Sequence, residues 1–258
     1  MPAPGLLLDL ALTLHPAHPA QQQDQQAVLA SRLGYAEVWL PVDAAYGFPG
    51  ADRLAGLARA AGPARLGLLI TGTEPDVIGG LLRQAGGPGT AALIELVGVP
   101  AGPALVHAVG GAQAWRARVR LPAFDPTAAG TVVAAPTRPD SLTGIAVAAA
   151  QRAAAGLAVA AHPVVAALPV SIGRTLNEAE ARAGRGPGST SGTGDARDSG
   201  LFGTYEQAQI QVLELAAAGA DALRVTVPDE VDEVDVADLL AQVRSVVVGA
   251  TPAHVRRN

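Results

Sequence analysis

The sequence predicts an α/β protein of the TIM (β/α)₈ barrel class, and three observations carry that prediction. Residues 203–228, GTYEQAQIQVLELAAAGADALRVTVP, read as one complete helix-to-strand unit of a parallel sheet. Residues 27–43, AVLASRLGYAEVWLPVD, repeat the order helix, Gly, buried strand near the other end of the chain. The segments between them bring the strand count to roughly eight, and 258 residues suit one barrel. The expectation is therefore a single domain over residues 1–258, with one β/α crossover shortened or missing.

Residues 5–13, GLLLDLALT, form the first expected strand, with Asp9 as its one charged residue. A carboxylate there either points into a wet barrel mouth or caps a neighbouring element, since a buried charge needs a partner. His15 and His18 follow in HPAHP; the prolines oppose helical spacing and no carboxylate cluster joins them, so they read as a loop and not a metal pair. The Gln-rich residues 21–26 lead into the first helix, which Gly34 ends, and residues 36–41 are the second strand. Asp43 sits where that strand delivers its loop to the carboxyl end of the sheet, the end at which parallel α/β folds bind ligands.

A second helix over 51–61 and a third strand over 64–71 precede TGTEPD, whose small residues and hydroxyls let a flat ring approach the backbone at Thr71 and Gly72. A third helix over 75–85 leads to a fourth strand over 91–97 that carries Glu95. From 98 to 130 the pattern weakens into an irregular insertion with a possible strand at ARVRL; His107, Trp115 and Phe124 in it read as packing residues. Residues 131–136 are a fifth strand. The loop after it gathers Thr137, Arg138, Ser141 and Thr143 at the start of an Ala-rich helix, an arrangement suited to holding an anion or merely to capping the helix.

Residues 157–161 look like a sixth strand and 164–172 a seventh, yet only His162 and Pro163 separate them. Parallel neighbours need a crossover of about a dozen residues, so either 157–161 extends the preceding helix or a helix of the repeat is lost. Thr175 and Glu178 form a capping box for the next helix. Residues 184–200 are almost free of apolar side chains and read as a flexible loop. In the last unit Thr204 and Gln207 form a second capping box, Gly219 stops the helix, and ALRVTV is a strand covered on both faces.

Composition excludes much. Cysteine is absent, which removes disulfides, thiolate metal sites and cysteine nucleophiles. All 18 basic residues are Arg, so there is no Schiff base, no pyridoxal phosphate attachment and no Walker-type lysine. A net charge of −5 with 3% aromatic residues opposes a nucleic-acid surface. No apolar run approaches membrane length, and residues 1–13 lack the marks of a signal peptide, so the expected location is the cytoplasm.

Three segments resemble the luciferase-like monooxygenase superfamily of flavin- and deazaflavin-dependent barrels: LASRLGYAEVWLP, ALPVSIGRTLNEAEARA and GTYEQAQIQVLELAAAGADAL. The last is the most specific, matching the family's Gly-Thr-Pro-Glu-Glu with Tyr205 in place of Pro. The resemblance implies reduced flavin mononucleotide or a deazaflavin over the carboxyl ends of the strands. It places Thr71 and Gly72 against the ring, and Thr137, Arg138, Ser141 and Thr143 at the phosphate. Where the family has an acid followed by a proton-transfer His, this chain has Val42 and Asp43, which leaves Asp43 as the substitute. The phosphate loop lacks the family's paired glycines.

Two functions follow from these residues. One is a flavin- or deazaflavin-dependent oxidoreductase acting on a small organic substrate, with Asp43 catalytic and no metal. The other is a degenerate barrel that binds a ligand or partner subunit without turnover; small Ala faces suit a homodimer in either case.

Overall fold

The computed structural model describes residues 7–42, 49–71, 93–97, 118–121, 132–134, 142–156, 159, 163–183, 200–226 and 233–250. In chain order these give β1 (Asp9–Thr13), α1 (Ala20–Arg32), β2 (Glu37–Val42), α2 (Ala51–Ala61), β3 (Arg65–Thr71), β4 (Leu93–Val97), β5 (Arg118–Leu121) and β6 (Val132–Ala134). They continue with α3 (Leu142–Ala154), β7 (Val165–Gly173), α4 (Leu176–Ala183), β8 (Leu201–Thr204), α5 (Tyr205–Ala217), β9 (Ala222–Thr226) and α6 (Glu233–Ala250). Every ladder is parallel, in the order β6-β5-β4-β3-β2-β1-β9-β7-β8.

The last helix-to-strand unit folds as read. Thr204 Oγ accepts from the Gln207 N–H while Gln207 Oε1 accepts from the Thr204 N–H at 2.9 Å, the full capping box. Gly219, at φ 101°, turns the chain into β9. Thr175 likewise caps α4, and Glu178 reaches back to the Arg174 N–H at 2.7 Å. The Gln-rich lead-in, by contrast, is itself helical: α1 begins at Ala20, with Gln23 and Gln26 buried.

The ladder contains a short connection between parallel neighbours, and residues 157–161, apart from Val159, lie outside the described residues. The helix before β7 ends at Ala154, Gly156 follows at φ 67°, and Val159 lies exposed in a turn, so α3 is the crossover from β6 to β7. The ARVRL segment is β5, a strand of the sheet between β4 and β6. Between β5 and β6 only residues 122–131 are left to connect two parallel neighbours, which is short of the dozen or so that a helical crossover needs. Residues 98–117 and 184–199, where an insertion and a flexible loop are expected, lie outside the described residues.

Strand β7 serves two partners in succession. Its first half, Val165 to Pro169, pairs with β9, and its second half, Val170 to Gly173, pairs with β8. The short β8 is thus an addition to the eight strands expected.

Alternation along the strands divides the interior in two. Leu10, Leu12, Val38, Leu40, Leu66, Leu68, Leu223 and Val225 face the helices and join Leu54, Leu57, Val212, Leu239 and Val243 in the main core. The opposite faces of β1, β2 and β3 supply a separate small cluster, Ala11 and Trp39 with Leu69 against it. That second cluster lies in the barrel lumen. The Tyr35 hydroxyl donates to Leu240 O at 3.0 Å and fixes α6 against the start of β2; burial raises its pKa well above the usual phenol value.

Candidate active site at the carboxyl end of the barrel

The lumen is built from charges that strand alternation aims inward. Arg224 on β9 and Glu95 on β4 form two parallel hydrogen bonds, at 2.7 and 2.8 Å, with 4% and 0% of their side chains exposed. These strands are four places apart in the sheet. Flat, the sheet would hold them roughly 19 Å apart at about 4.8 Å per strand, beyond the reach of the two side chains. The ion pair therefore requires a curled sheet.

Register says the same. Arg224 pairs with Ala11, Ala11 with Glu37, Glu37 with Arg65, and Gly67 with Leu93, so Glu95 stands about four residues beyond the position reached by following the ladder. A shear of eight residues around eight strands gives about four halfway round, which brings the two residues to one height on opposite walls.

Trp39 fills the space beside this pair. Its indole lies 5.1 Å from the Arg224 guanidinium carbon, and a Cβ on Gly67 would stand 2.5 Å from the ring, so only glycine fits on β3 at that point. Trp39 Nε1 donates to Glu37 Oε2 at 2.9 Å, and Glu37 Oε1 accepts from Arg65 Nη2 at 2.6 Å. The indole and the ion pair together lie buried in the lumen below the carboxyl ends.

Toward the carboxyl ends the lumen face continues with Pro41 and Leu69 on β2 and β3, and with hydroxyls on β1 and β9. Thr13 and Thr226 are register partners at the ends of β1 and β9, Thr226 two residues above Arg224 on the same face. An aromatic floor with hydroxyls at its edge fits a flat ring with a polar rim, such as a flavin or deazaflavin. Thr71 is the last residue of β3 and pairs with Val97, and Thr143 is exposed in the first turn of α3. Asp43, Gly72, Thr137, Arg138 and Ser141 lie outside the described residues, as do His107, Trp115 and Phe124.

Asp9 does not belong to the mouth. It begins β1, at the amino end of the barrel, where its N–H donates to Asp221 O at 3.0 Å. Burial first, then the Glu37 carboxylate, raises its pKa; Arg65 opposes this and Asp221 adds to it. Asp221 in turn accepts from the Val164 N–H at 2.7 Å and pairs with Arg152, tying α3 and β7 to β9.

Sequence reading named Glu95 without a role and passed over Glu37, Trp39, Arg65 and Arg224. The available signal was a lone charge in an otherwise apolar strand, found in LIELV and again, with the opposite sign, in ALRVT.

The fold recurs in solved structures. The chain has the luciferase-like barrel fold. It is similar to the coenzyme F420-dependent tetrahydromethanopterin reductase of Methanopyrus kandleri, at 12% identity and a TM-score of 0.65 over 95% of this chain and 99% of that one. It is also similar to the monooxygenase RslO1 of Streptomyces bottropensis, at 14% identity and a TM-score of 0.67 over 94% and 99%. A third likeness is to the oxygenating constituent of 3,6-diketocamphane monooxygenase from a Pseudomonas putida plasmid, solved with FMN, at 13% identity and a TM-score of 0.61 over 94% and 98%. No family model and no curated protein matches the sequence. At these identities the likeness is one of fold, and function rests on the site. Among the described residues no helix is long and apolar enough to cross a membrane, and no cluster of three or more His, Cys, Asp or Glu could hold a metal.

Proposed function

We propose that the chain is an oxidoreductase that uses a flavin or deazaflavin cofactor on a small organic substrate. The observation that carries this reading is the buried floor of Trp39, Arg224 and Glu95 with the hydroxyls of Thr13 and Thr226 at its edge, in a fold shared end to end with enzymes named for F420 or solved with FMN. When bound, the cofactor supplies the hydride or activates oxygen. The chain's own residues bind, orient and exclude water.

In this reading the backbone at Thr71 and Gly72 lies against the ring, with the Trp39 floor setting how deep the ring can sit. Thr137, Arg138, Ser141 and Thr143 hold the phosphate. Because every cation in the chain is an arginine, phosphate recognition falls to a planar guanidinium, hydroxyls and backbone amides. Asp43, immediately after β2, exchanges a proton with the substrate. The protein acts in the cytoplasm and works as a homodimer.

The test is calorimetric titration of the purified chain with FMN and with F420, oxidised and reduced. Micromolar binding of one names the cofactor, and Arg138→Ala then weakens it by about tenfold or more, the loss of a charged phosphate contact. Failure of all four forms to bind refutes the oxidoreductase and leaves the barrel as a scaffold without turnover.

A further inference from the structure

Two hydroxyls stand side by side in the lumen. Thr13 and Thr226 end β1 and β9 as register partners, and the residues before them, Leu12 and Val225, are register partners that belong to the helix-side core. Both threonines lie within their strands, so alternation turns them inward. Thr13 is buried, with 8% of its surface exposed, and Thr226 is half-buried. Among the described residues neither hydroxyl has a hydrogen-bond partner.

Valine would serve a β-strand equally well at such a position without leaving a desolvated hydroxyl unsatisfied. A pair of unmet hydroxyls at one level of the ligand end therefore points to a bound molecule that meets them. Register partners on neighbouring strands lie about 4.8 Å apart, close to the roughly 4.5 Å between the carbonyl oxygens of a cyclic imide, O=C–NH–C=O, so each hydroxyl can donate to one carbonyl. Arg224 lies two residues below Thr226 on the same face, which puts the positive end of its pair with Glu95 beneath these hydroxyls and favours oxygen acceptors above it. Next along the wall the lumen face turns apolar, with the register partners Pro41 and Leu69 on β2 and β3. A fused ring with an imide at one end and a benzenoid ring at the other matches that succession of surfaces, and flavin and deazaflavin share this plan.

We propose that Thr13 and Thr226 contact the cofactor ring, each hydroxyl donating to one carbonyl of its imide edge. The ring then lies with that edge on the β1–β9 wall and its benzenoid end over Pro41 and Leu69. This deepens the oxidoreductase reading and rests on it. The pair does not separate FMN from F420, since both carry the imide; it decides which end of either ring sits over β1 and β9.

The experiment is calorimetric titration of the full-length chain and of Thr13→Val and Thr226→Val with FMN and, separately, F420. Difference infrared spectra accompany it, taken on whichever cofactor binds, carbon-13-labelled at the imide carbonyls. Each valine is expected to weaken the cofactor by about five- to tenfold, the value of one hydrogen bond, and to move a carbonyl band to higher frequency as its donor is lost. The same variants keep or raise the Tm of the free chain, because the unsatisfied hydroxyl is gone, and Thr13→Ser, which retains a hydroxyl, keeps most of the affinity. If a valine variant melts early, the bands of the unmodified chain decide, and carbonyls at their unbonded frequency count against the assignment. Cofactor bound with unchanged affinity and unchanged bands in both valine variants overturns it and leaves the oxidoreductase standing; no binding of either cofactor overturns both.

Discussion

Removing the Arg224 guanidinium is the severest test of the lumen. Arg224→Met removes the two hydrogen bonds that the wholly buried Glu95 accepts from it, and strips the Trp39 ring of the cation beside it. Breaking a buried pair by deleting one partner costs about 3–5 kcal/mol, because the abandoned charge remains desolvated. For a chain of this size each kcal/mol lowers Tm by roughly 2–4 °C, so the expected fall is on the order of 10 °C. Urea and thermal melts measure it, and Trp39 emission in a Trp115→Phe background reports whether the indole has moved. Adding Glu95→Leu to Arg224→Met removes the stranded charge and is expected to recover most of the loss, since apolar replacement of a whole buried pair is often neutral or stabilising. A single-variant cost below about 1 kcal/mol, with emission unchanged, would mean that the two side chains do not meet across the lumen, and the argument for curvature from their contact would fail.

Two further outcomes follow from local geometry. Gly203, at φ 115°, leaves so little room that an added Cβ would stand 2.4 Å from Gln207 Oε1, so Gly203→Ala strains the backbone and displaces half of the capping box; the expected cost is about 2 kcal/mol in urea melts, against about 1 for Gln207→Ala, and equal costs would show the backbone to be unstrained. Asp9 has a raised folded-state pKa, so its contribution favours folding at low pH and is lost as pH rises through that value. Asp9→Asn is therefore expected to raise Tm at pH 7, with the gain fading below the ordinary carboxylate range, and a lower Tm at pH 7 would show that attraction to Arg65 outweighs burial.

The repeating helix-to-strand units were legible because their signals are local. Thr204, Gln207 and Gly219 act within one turn of their own positions, and the apolar run of β9 announces its burial. The short connection between β5 and β6 was not legible, because only the pairing of those two strands shows that they are neighbours; residues 157–161, apart from Val159, lie outside the described residues. Most of the loop residues named from the sequence, Asp43, Gly72, Thr137, Arg138 and Ser141, lie outside the described residues, and the floor of the candidate site was illegible. Glu95 and Arg224 are 129 residues apart, and nothing local to either reveals that four strands of curvature bring them together. Asp9, the charge that stood out in the sequence, lies at the far end of the barrel from the mouth, since a lone carboxylate in a strand does not say which rim it occupies.

The guanidinium–carboxylate pair joins opposite walls of a tube, and a tie across a tube resists being flattened. Hydrogen bonds between neighbouring strands set the circumference of the barrel but leave its cross-section free to become oval; a rigid fork spanning the diameter, with an indole wedged beside it, removes that freedom. The loops above can then vary in length and sequence while the ring of strand ends that carries them keeps its shape, so new chemistry can be tried at the rim without reshaping its support.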